Sequence, residues 1–151
     1  MNYRLYQPGD FAALYAVEEL CFEPPFRFSR AYMRQLVRSR SSASWIAEED
    51  GELIGFAIVE WASADEGRSA YIATIEVRPG RREKGIGAEL LRRVEDSARI
   101  AGAATMWLHV DAENAAAIRL YEAHGYVRRG REEHFYARHR DAFAYAKSLG
   151  V

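Results

Sequence analysis

Residues 77–88 decide the fold, and they read Val-Arg-Pro-Gly-Arg-Arg-Glu-Lys-Gly-Ile-Gly-Ala. They follow Tyr71–Val77, which has the pattern of a β-strand, and they lead into residues 85–101, whose apolar side chains recur at helical spacing. Gly85 and Gly87 allow a ligand to approach the backbone closely, and the free N–H groups of a first helical turn attract anions. The stretch therefore predicts a strand, a phosphate-binding turn and a helix in succession.

Two familiar phosphate-binding motifs do not fit this stretch. The Gly-x₄-Gly-Lys-Ser/Thr spacing of a Walker loop is absent, and the Gly-x-Gly-x-x-Gly dinucleotide fingerprint fails at Leu90. Taken alone, the two glycines are as compatible with a tight turn that binds no ligand as they are with a phosphate-binding turn. Arg81, Arg82 and Lys84 would then form no more than a solvated basic rim.

Outward from this turn, the periodicity predicts one mixed α/β domain over residues 1–151, with the element order β-α-α-β-β-β-α-β-α-β-β. The predicted strands are 2–6, 44–48, 53–61, 71–77, 105–110, 126–129 and 141–149. The predicted helices follow Asp10 and Ser29 and cover 85–101 and 115–124. Asp50-Gly51 predicts a hairpin, and residues 63–68 a polar loop. This order implies a mostly antiparallel sheet of about seven strands flanked by about four helices.

The composition argues against several classes of function. The chain has 21 basic and 22 acidic residues and a net charge of −1, without the concentrated positive charge of duplex-binding proteins. Its one cysteine, Cys21, cannot form an intramolecular disulfide, and no cysteines and histidines stand at metal-ligand spacing. Neither a signal-peptide pattern nor a membrane-spanning apolar run is present. We therefore expect a cytoplasmic protein that binds no nucleic acid, membrane or metal.

Two motifs, taken in order, resemble those of the GNAT acetyltransferases. Residues 82–87, Arg-Glu-Lys-Gly-Ile-Gly, match the family signature Arg/Gln-x-x-Gly-x-Gly/Ala, and Asn114–Tyr121 matches Asn-x-x-Ala-x-x-x-Tyr. The resemblance is strong over residues 74–126. It is greatest to the branch that acetylates protein N-termini, including ribosomal-protein alanine acetyltransferases. That branch has a similar Asn-Ala-Ala-Ala-Ile segment and a tyrosine-containing loop before the last strand, where this chain has residues 134–136, His-Phe-Tyr.

The resemblance implies acetyl-CoA as co-substrate and direct transfer of acetyl to a primary amine in a ternary complex. It implies that backbone at 75–77 pairs with the pantetheine arm and that residues 83–88 hold the pyrophosphate. A homodimer is also possible, since GNAT domains often dimerise. The cofactor-binding residues implied in this way are Ile75, Glu76, Val77, Arg82, Glu83, Lys84, Gly85, Ile86, Gly87, Ala88, Asn114, Ala117 and Tyr121.

Acetyl transfer requires a base for the ammonium, stabilisation of an oxyanion and, in some enzymes, an acid for the thiolate. Tyr121 is the candidate acid, because the resemblance puts it near the sulfur, and a backbone N–H near Val77 is the candidate for the oxyanion. His109 and Glu76 are both candidates for the base. His109 stands where the N-terminal acetyltransferase branch has a catalytic glutamate, whereas many GNAT enzymes have a glutamate at the position of Glu76. Each is equally compatible with a structural role, and Glu76 could instead orient His109.

The segment 22–28, rich in phenylalanine and proline, predicts one wall of the acceptor site by resemblance. We expect Glu23 to meet the acceptor ammonium, with Phe26 beside it and Tyr136 on the opposite wall. The acceptor is predicted to be a peptide N-terminus or, as an alternative, a small amine such as a polyamine, aminoglycoside or amino acid. A non-catalytic acyl-CoA-binding module is the other alternative. Acyl-chain specificity cannot be read from the sequence.

Overall fold

The computed structural model describes residues 1–62 and 68–150, so most of the polar loop predicted at 63–68 lies outside the described residues. The strands are β1 (Asn2–Leu5), β2 (Ser42–Glu49), β3 (Glu52–Trp61), β4 (Ser69–Val77), β5 (Thr105–Asp111), β6 (Val127–Ala137) and β7 (Arg140–Ser148). The helices are α1 (Phe11–Cys21), α2 (Arg30–Arg38), α3 (Ile86–Ile100) and α4 (Ala115–Ala123). The predicted order of strands and helices is confirmed.

Local signals in the sequence start and end these elements as expected. Asp50 and Gly51 both have positive φ, 52° and 80°, which is the conformation that joins β2 to β3 in a tight hairpin. Ser29 caps α2, and its hydroxyl accepts a hydrogen bond from the backbone N–H of Tyr32 at 3.1 Å. Asn114 caps α4 in the same way, through Ala117 N–H at 3.1 Å.

The seven strands form one sheet in the order β1-β2-β3-β4-β5-β7-β6, in which only β4 and β5 are parallel. Strand β3 is buried continuously from Leu53 to Val59, because helices cover both faces of the sheet there. On one face α3 contributes Leu90, Val94 and Ala98 to the larger core. On the other face α1 and α2 form a smaller core around Phe56.

The parallel strands β4 and β5 separate halfway along their length. They pair only from Ser69–Ile72 to Thr105–Leu108, after which β4 continues beside β3 and β5 continues beside β7. A bulge accompanies the separation: Thr74 pairs with Ile58 and Ile72 pairs with Val59, which leaves Ala73 as an extra residue. Bulges bend a strand. Residues 73–77 are therefore left with one backbone edge that no strand covers.

One predicted boundary is wrong. The sequence predicts a strand at 126–129 and then a loop, but β6 extends to Ala137, so that His134, Phe135 and Tyr136 lie in a strand. Nearly every side chain of β6 is exposed, and an exposed edge strand lacks the alternation of apolar residues on which the prediction depends. The pairing of β6 with β7 is also irregular between Glu132 and Ala137.

Candidate functional site

A cleft of about 380 Å³ opens beside the uncovered end of β4, and we call it the α3 cleft. The predicted cofactor-binding residues that line it are Ile75, Glu76, Val77, Arg82, Glu83, Gly85, Gly87, Ala88, Asn114 and Ala117. The sequence did not predict four further lining residues, which are Cys21, Phe22, Ala116 and Leu120. Three of the predicted residues do not line this cleft: Lys84 is exposed, Ile86 is buried in the core and Tyr121 lies further along.

The turn before α3 presents backbone N–H groups to this cleft. Gly85 precedes the helix in the left-handed conformation, with φ at 80°, and Glu83 also has a positive φ of 65°. The N–H of Glu89 bonds to the carbonyl oxygen of Gly85 at 3.1 Å, so residues 86–88 precede the first helical hydrogen bond. Because Ile86 is only 4% exposed, it can contribute its N–H but not its side chain.

Arg82 ties the end of β4 to α1. Its Nε donates to the carbonyl oxygen of Val77 at 3.0 Å, and its Nη2 lies 3.4 Å from Sγ of Cys21. The guanidinium therefore stays at the mouth of the α3 cleft, where it adds positive charge to that of the helix N-terminus.

A second cleft of about 300 Å³ continues from the first, and we call it the aromatic cleft. The two clefts share Phe22, Ile75, Asn114 and Ala117. The aromatic cleft brings together four predicted site residues from four different elements or loops, which are Phe26, His109, Tyr121 and Tyr136. The fold thus forms a single channel that runs from the start of α3 to these side chains.

The outer wall of the aromatic cleft is a contact between the loop after α1 and the β6–β7 hairpin. The rings of Phe26 and Tyr136 are 4.9 Å apart, and the guanidinium of Arg140 lies 4.8 Å from the Phe26 ring. Arg140 is held by Asp111 through hydrogen bonds of 2.9 and 3.1 Å. Glu23 is exposed in the loop and is absent from the lining residues, so its predicted contact with the acceptor stays a prediction.

Both ring nitrogens of His109 have partners. Its Nδ1 is 2.8 Å from the hydroxyl of Tyr71, and its Nε2 is 3.2 Å from Oε1 of Glu132, without the alignment of a hydrogen bond. The ring also stacks on Phe135 at 4.4 Å. Burial raises the pKa of Tyr71 to about 12, so its hydroxyl stays protonated and can donate to Nδ1. Nε2 then carries the proton of the neutral ring and faces a carboxylate.

Glu76 is buried and faces a second buried glutamate, Glu18 of α1. The two residues are 3% and 0% exposed. One oxygen of each accepts a hydrogen bond, Glu76 from the Thr74 hydroxyl at 2.7 Å and Glu18 from the Phe28 N–H at 2.9 Å. Burial and the neighbouring Glu18 raise the pKa of Glu76 well above its usual range.

Glu18 was not among the residues predicted from the sequence, although the sequence contains a signal for it. Glu18 follows Leu14 by four residues and precedes Cys21 by three, so it occupies the buried stripe of α1. A carboxylate at such a position is rarely left unpartnered. Glu18 lines the aromatic cleft, whereas Glu76 lines the α3 cleft.

Tyr121 reaches the aromatic cleft from the core side of α4. It is 7% exposed, and its ring meets that of Tyr126 edge to face at 5.8 Å. Burial raises the pKa of Tyr121 above its usual value. At neutral pH the phenol is therefore protonated, and it can act as a hydrogen-bond or proton donor to a group in the cleft.

A protein-family model matches the part of the chain that contains the separated parallel strands and the turn before α3. The model of the Acetyltransferase (GNAT) family matches residues 11–126 of this chain. The chain belongs to the GNAT family of acetyltransferases. The family predicted from the two sequence motifs is therefore confirmed.

Relatives of this GNAT chain act on different kinds of acceptor. The streptothricin acetyltransferase of Streptomyces lavendulae is 44% identical over 78 residues, which cover 52% of this chain and 40% of that protein. The structure of the ribosomal-protein-S18-alanine N-acetyltransferase of Escherichia coli has a TM-score of 0.85 and 25% identity, over 99% of this chain and 94% of that one. Arabidopsis thaliana NAA60 in complex with acetyl-CoA has a TM-score of 0.86 and 26% identity, over 99% of both chains.

These structures confirm the predicted fold class of this GNAT chain. In sequence, the chain spans about half the length of the curated relatives it matches. No helix among residues 1–62 and 68–150 is long and apolar enough to cross a membrane. The same residues contain no cluster of three or more potential metal-ligating side chains.

The α3 cleft fits acetyl-CoA, the co-substrate that GNAT proteins use. The N–H groups of residues 86–88 and the guanidinium of Arg82 suit a pyrophosphate. The uncovered backbone edge of residues 73–77 suits an extended arm that carries amide groups. The α3 cleft then opens into the aromatic cleft, so that an arm of this kind would end near Tyr121.

Proposed function

We propose that this protein transfers the acetyl group of acetyl-CoA to the primary amine at the N-terminus of a protein or peptide. The observation that carries the proposal is the continuous channel formed by the α3 cleft and the aromatic cleft. The channel gives two substrates separate entrances that meet at Ile75 and Asn114. Both substrates can then be bound at once, as direct transfer in a ternary complex requires.

Acetyl-CoA would be held by the turn and the helix starts that line the α3 cleft. Gly85, Gly87 and the N–H groups of the first α3 turn would bind its pyrophosphate, with Arg82 beside them. Ile75 and Val77 would offer backbone groups to its arm, and Asn114 and Ala117 would pack against the arm from the start of α4. The bound molecule supplies an activated acetyl group in the form of a thioester.

Three groups of the chain would catalyse the transfer of the acetyl group. A backbone N–H on the uncovered edge of β4 would stabilise the negative charge that develops on the carbonyl oxygen. Tyr121, protonated because it is buried, would donate a proton to the departing sulfur. The ammonium would lose its proton to a carboxylate on the β4–α1 side, since Nδ1 of His109, the nitrogen able to accept a proton in this tautomer, already accepts from the Tyr71 hydroxyl.

The shape of the acceptor side favours a chain over a compact molecule. A wider, open cleft of about 520 Å³ lies on the other side of His109, which lines both clefts, and its walls include Glu60, Trp61, Tyr71 and Trp107. An amine held near Tyr121 would therefore have room for further residues across this surface. Glu60 gives the surface a carboxylate, which suits a peptide with a basic side chain.

The test is release of free thiol from acetyl-CoA with a mixed panel of acceptors. The panel contains short peptides that differ in their first residues, polyamines, aminoglycosides and free amino acids. Turnover with peptides alone is the expected result, and mass spectrometry of the product should place the acetyl group on the α-amine. An acetyl-CoA-induced rise in melting temperature without turnover on any acceptor would instead favour a non-catalytic acyl-CoA-binding module.

A small amine is the second candidate acceptor. It is favoured by the 44% identity to streptothricin acetyltransferase over 78 residues, compared with 40% over 78 residues to the ribosomal protein bS18-alanine N-acetyltransferase of Escherichia coli. Turnover with the aminoglycosides, polyamines or amino acids of the same panel, and none with peptides, would establish this alternative.

We also propose that the protein is located in the cytoplasm and that two copies of it form a homodimer.

A further inference from the structure

We propose that Glu18 and Glu76 form one proton-sharing carboxyl pair, and that this pair accepts the proton of the acceptor ammonium. The inference rests on the proposed function and adds Glu18 to the residues that contact the acceptor. Glu18 lines the aromatic cleft, where the amine would bind, and Glu76 lines the α3 cleft, where the acetyl group would arrive. The pair therefore lies at the junction of the two substrates.

The hydrogen bonds to Glu18 and Glu76 use only one oxygen of each carboxyl group, so the second oxygen of each is available to share a proton with the other glutamate. Oε2 of Glu18 accepts from Phe28 N–H at 2.9 Å, and Oε2 of Glu76 accepts from the Thr74 hydroxyl at 2.7 Å. Oε1 of Glu18 and Oε1 of Glu76 are buried and lack a hydrogen-bond donor among the described residues. A proton shared by the two groups would satisfy both oxygens, and it would require no further side chain.

The surroundings provide no cation to keep both groups ionised. Within residues 1–62 and 68–150, neither carboxylate forms an ion pair with a lysine, arginine or histidine. The other groups that face the pair are the Thr74 hydroxyl on β4 and the Cys21 thiol on α1, whose pKa is raised by burial. The guanidinium of Arg82 lies 3.4 Å from the Cys21 sulfur and forms no ion pair with either carboxylate.

These conditions give the pair the basicity that the reaction needs. Two adjacent buried carboxylates repel each other, so the last proton is held to higher pH than by a single carboxyl group. The raised pKa of Glu76 has this cause in addition to burial. A general base is most effective when its pKa lies near the working pH, and an α-ammonium titrates at about 7.7–8.0.

Each proton and electron pair in the transfer has a donor and an acceptor among the chain, the two substrates and solvent. The step starts from the pair with both carboxyl groups ionised, the form present above its raised pKa. A proton leaves the ammonium nitrogen and takes the position between Oε1 of Glu18 and Oε1 of Glu76. The freed lone pair on nitrogen forms the new bond to the acetyl carbon. The carbon–sulfur bond breaks with its electron pair on sulfur, which takes a proton from Tyr121. A second ammonium proton leaves the nitrogen for water, so that the product amide keeps one N–H. The proton held by the pair then returns to Tyr121 through solvent, which restores the starting state.

The experiment compares Glu18→Gln and Glu76→Gln with Glu19→Gln, which changes an exposed residue of the same helix. Glutamine at position 18 keeps an acceptor for Phe28 and donates an N–H to Glu76, so the remaining carboxylate is stabilised. Carboxyl resonances of ¹³C-labelled glutamate are titrated in each protein. We expect one wild-type carboxyl to titrate at least one pH unit above the usual value of about 4.3. This titration should be absent from Glu76→Gln, should move to lower pH in Glu18→Gln and should be unchanged in Glu19→Gln.

Kinetics provide the second measurement. The acid limb of the pH profile of kcat/KM should shift to lower pH by about one unit or more in Glu18→Gln, and turnover should fall about 10²- to 10⁴-fold in Glu76→Gln. A buried pair with a purely structural role would change the melting temperature and leave the limb in place. An unshifted limb in a folded Glu18→Gln protein would overturn the base role.

The two proposals fail in different ways. Absence of turnover by the wild-type protein would overturn the proposed function, and the base role with it, whereas the ¹³C titration would still decide whether the pair shares a proton. Turnover by a wild-type protein whose glutamates all titrate near about 4.3 would overturn the pair and leave the proposed function standing.

Discussion

The hydroxyl of Tyr71 lies 2.8 Å from Nδ1 of His109 and joins β4 to β5 at the point where these parallel strands separate. The contact fixes the imidazole ring while Glu132 and Phe135 hold its other side. His109 is thereby built into the wall between the aromatic cleft and the open surface beyond it.

The first prediction is that His109 positions the acceptor and is not the base. We expect His109→Ala to lower kcat less than about tenfold, because loss of a general base costs about 10²–10⁴-fold in rate. KM for the acceptor should rise, since the ring forms part of the wall. Steady-state kinetics check this result, with Glu76→Gln as the comparison. A fall in kcat as large as that of Glu76→Gln would instead assign the base to His109.

The second prediction concerns Tyr121 as a proton donor. Tyr121→Phe keeps the buried ring and removes only the hydroxyl, so the affinity for acetyl-CoA should stay within about twofold of the wild type. We expect turnover to fall about 10²-fold or more. Calorimetric titration and thiol release measure the two quantities. Tyr3→Phe, in β1, is the control, and a Tyr121→Phe protein that turns over as fast as this control would contradict the assignment.

The third prediction concerns the turn at Gly85. Because Gly85 has a φ of 80°, a side chain there costs about 1–2 kcal/mol in the left-handed conformation or forces the turn to change. We therefore expect Gly85→Ala to weaken acetyl-CoA binding by about 5- to 30-fold. Gly9→Ala is the control, since Gly9 has ordinary backbone angles and open space around it. Equal Kd values for the two variants would remove the turn from the binding site.

The fourth prediction is a dependence of stability on pH that comes from the Glu18–Glu76 pair. Glutamates in the unfolded chain have a pKa of about 4.3, whereas the folded pair keeps a proton to higher pH. Folding is therefore accompanied by proton uptake at any pH between about 4.3 and the raised pKa of the folded pair. Stability from this source is complete below about pH 4.3 and is lost as pH rises through the raised pKa. Urea unfolding at a series of pH values should show this decline in the wild type and Glu19→Gln, and not in Glu76→Gln.

The fifth prediction concerns a buried network that lies on the other face of the sheet. Glu95 accepts from the hydroxyl of Tyr126 at 2.7 Å and from Nζ of Lys147 at 3.0 Å, and it is 5% exposed. Lys147→Met removes the nearer of the two cations beside this carboxylate, the other being Arg99 at 3.9 Å, and we expect a loss of about 1.5–3 kcal/mol in the free energy of unfolding. The double variant with Glu95→Gln should recover part of the loss. Acetyl-CoA affinity should not change, since none of these residues lines the α3 cleft.

Much of the fold could be predicted from the sequence because its strands and helices have buried faces. The α3 helix shows its stripe of Leu90, Val94 and Ala98, and β3 reads as a continuous apolar run. The strand β6 could not be predicted beyond residue 129, because its side chains face solvent and its order comes from hydrogen bonds to β7. The pattern of burial thus limits what periodicity can predict.

Some residues of the candidate site could also be predicted from the sequence, whereas others could not. The glycines of the α3 turn and the cap at Asn114 were predictable, because each acts on backbone groups within its own turn. The predicted contact of Glu23 with the acceptor depends on the path of a loop and stays a prediction, whereas Glu18 lines the aromatic cleft. No rule for local sequence distinguishes these two glutamates by function, although the helical spacing of Glu18 indicates burial.

The family, the order of strands and helices, and the turn where α3 begins could all be predicted from the sequence, because they depend on short-range backbone chemistry and on periodicity. The separation of β4 and β5, the contact between Tyr71 and His109, and the pairing of Glu18 with Glu76 became visible only in the folded chain. These contacts join elements that are far apart in the sequence, so no local pattern encodes them. The protonation of a buried carboxylate is set by whichever group packing brings beside it, and here that group belongs to another helix.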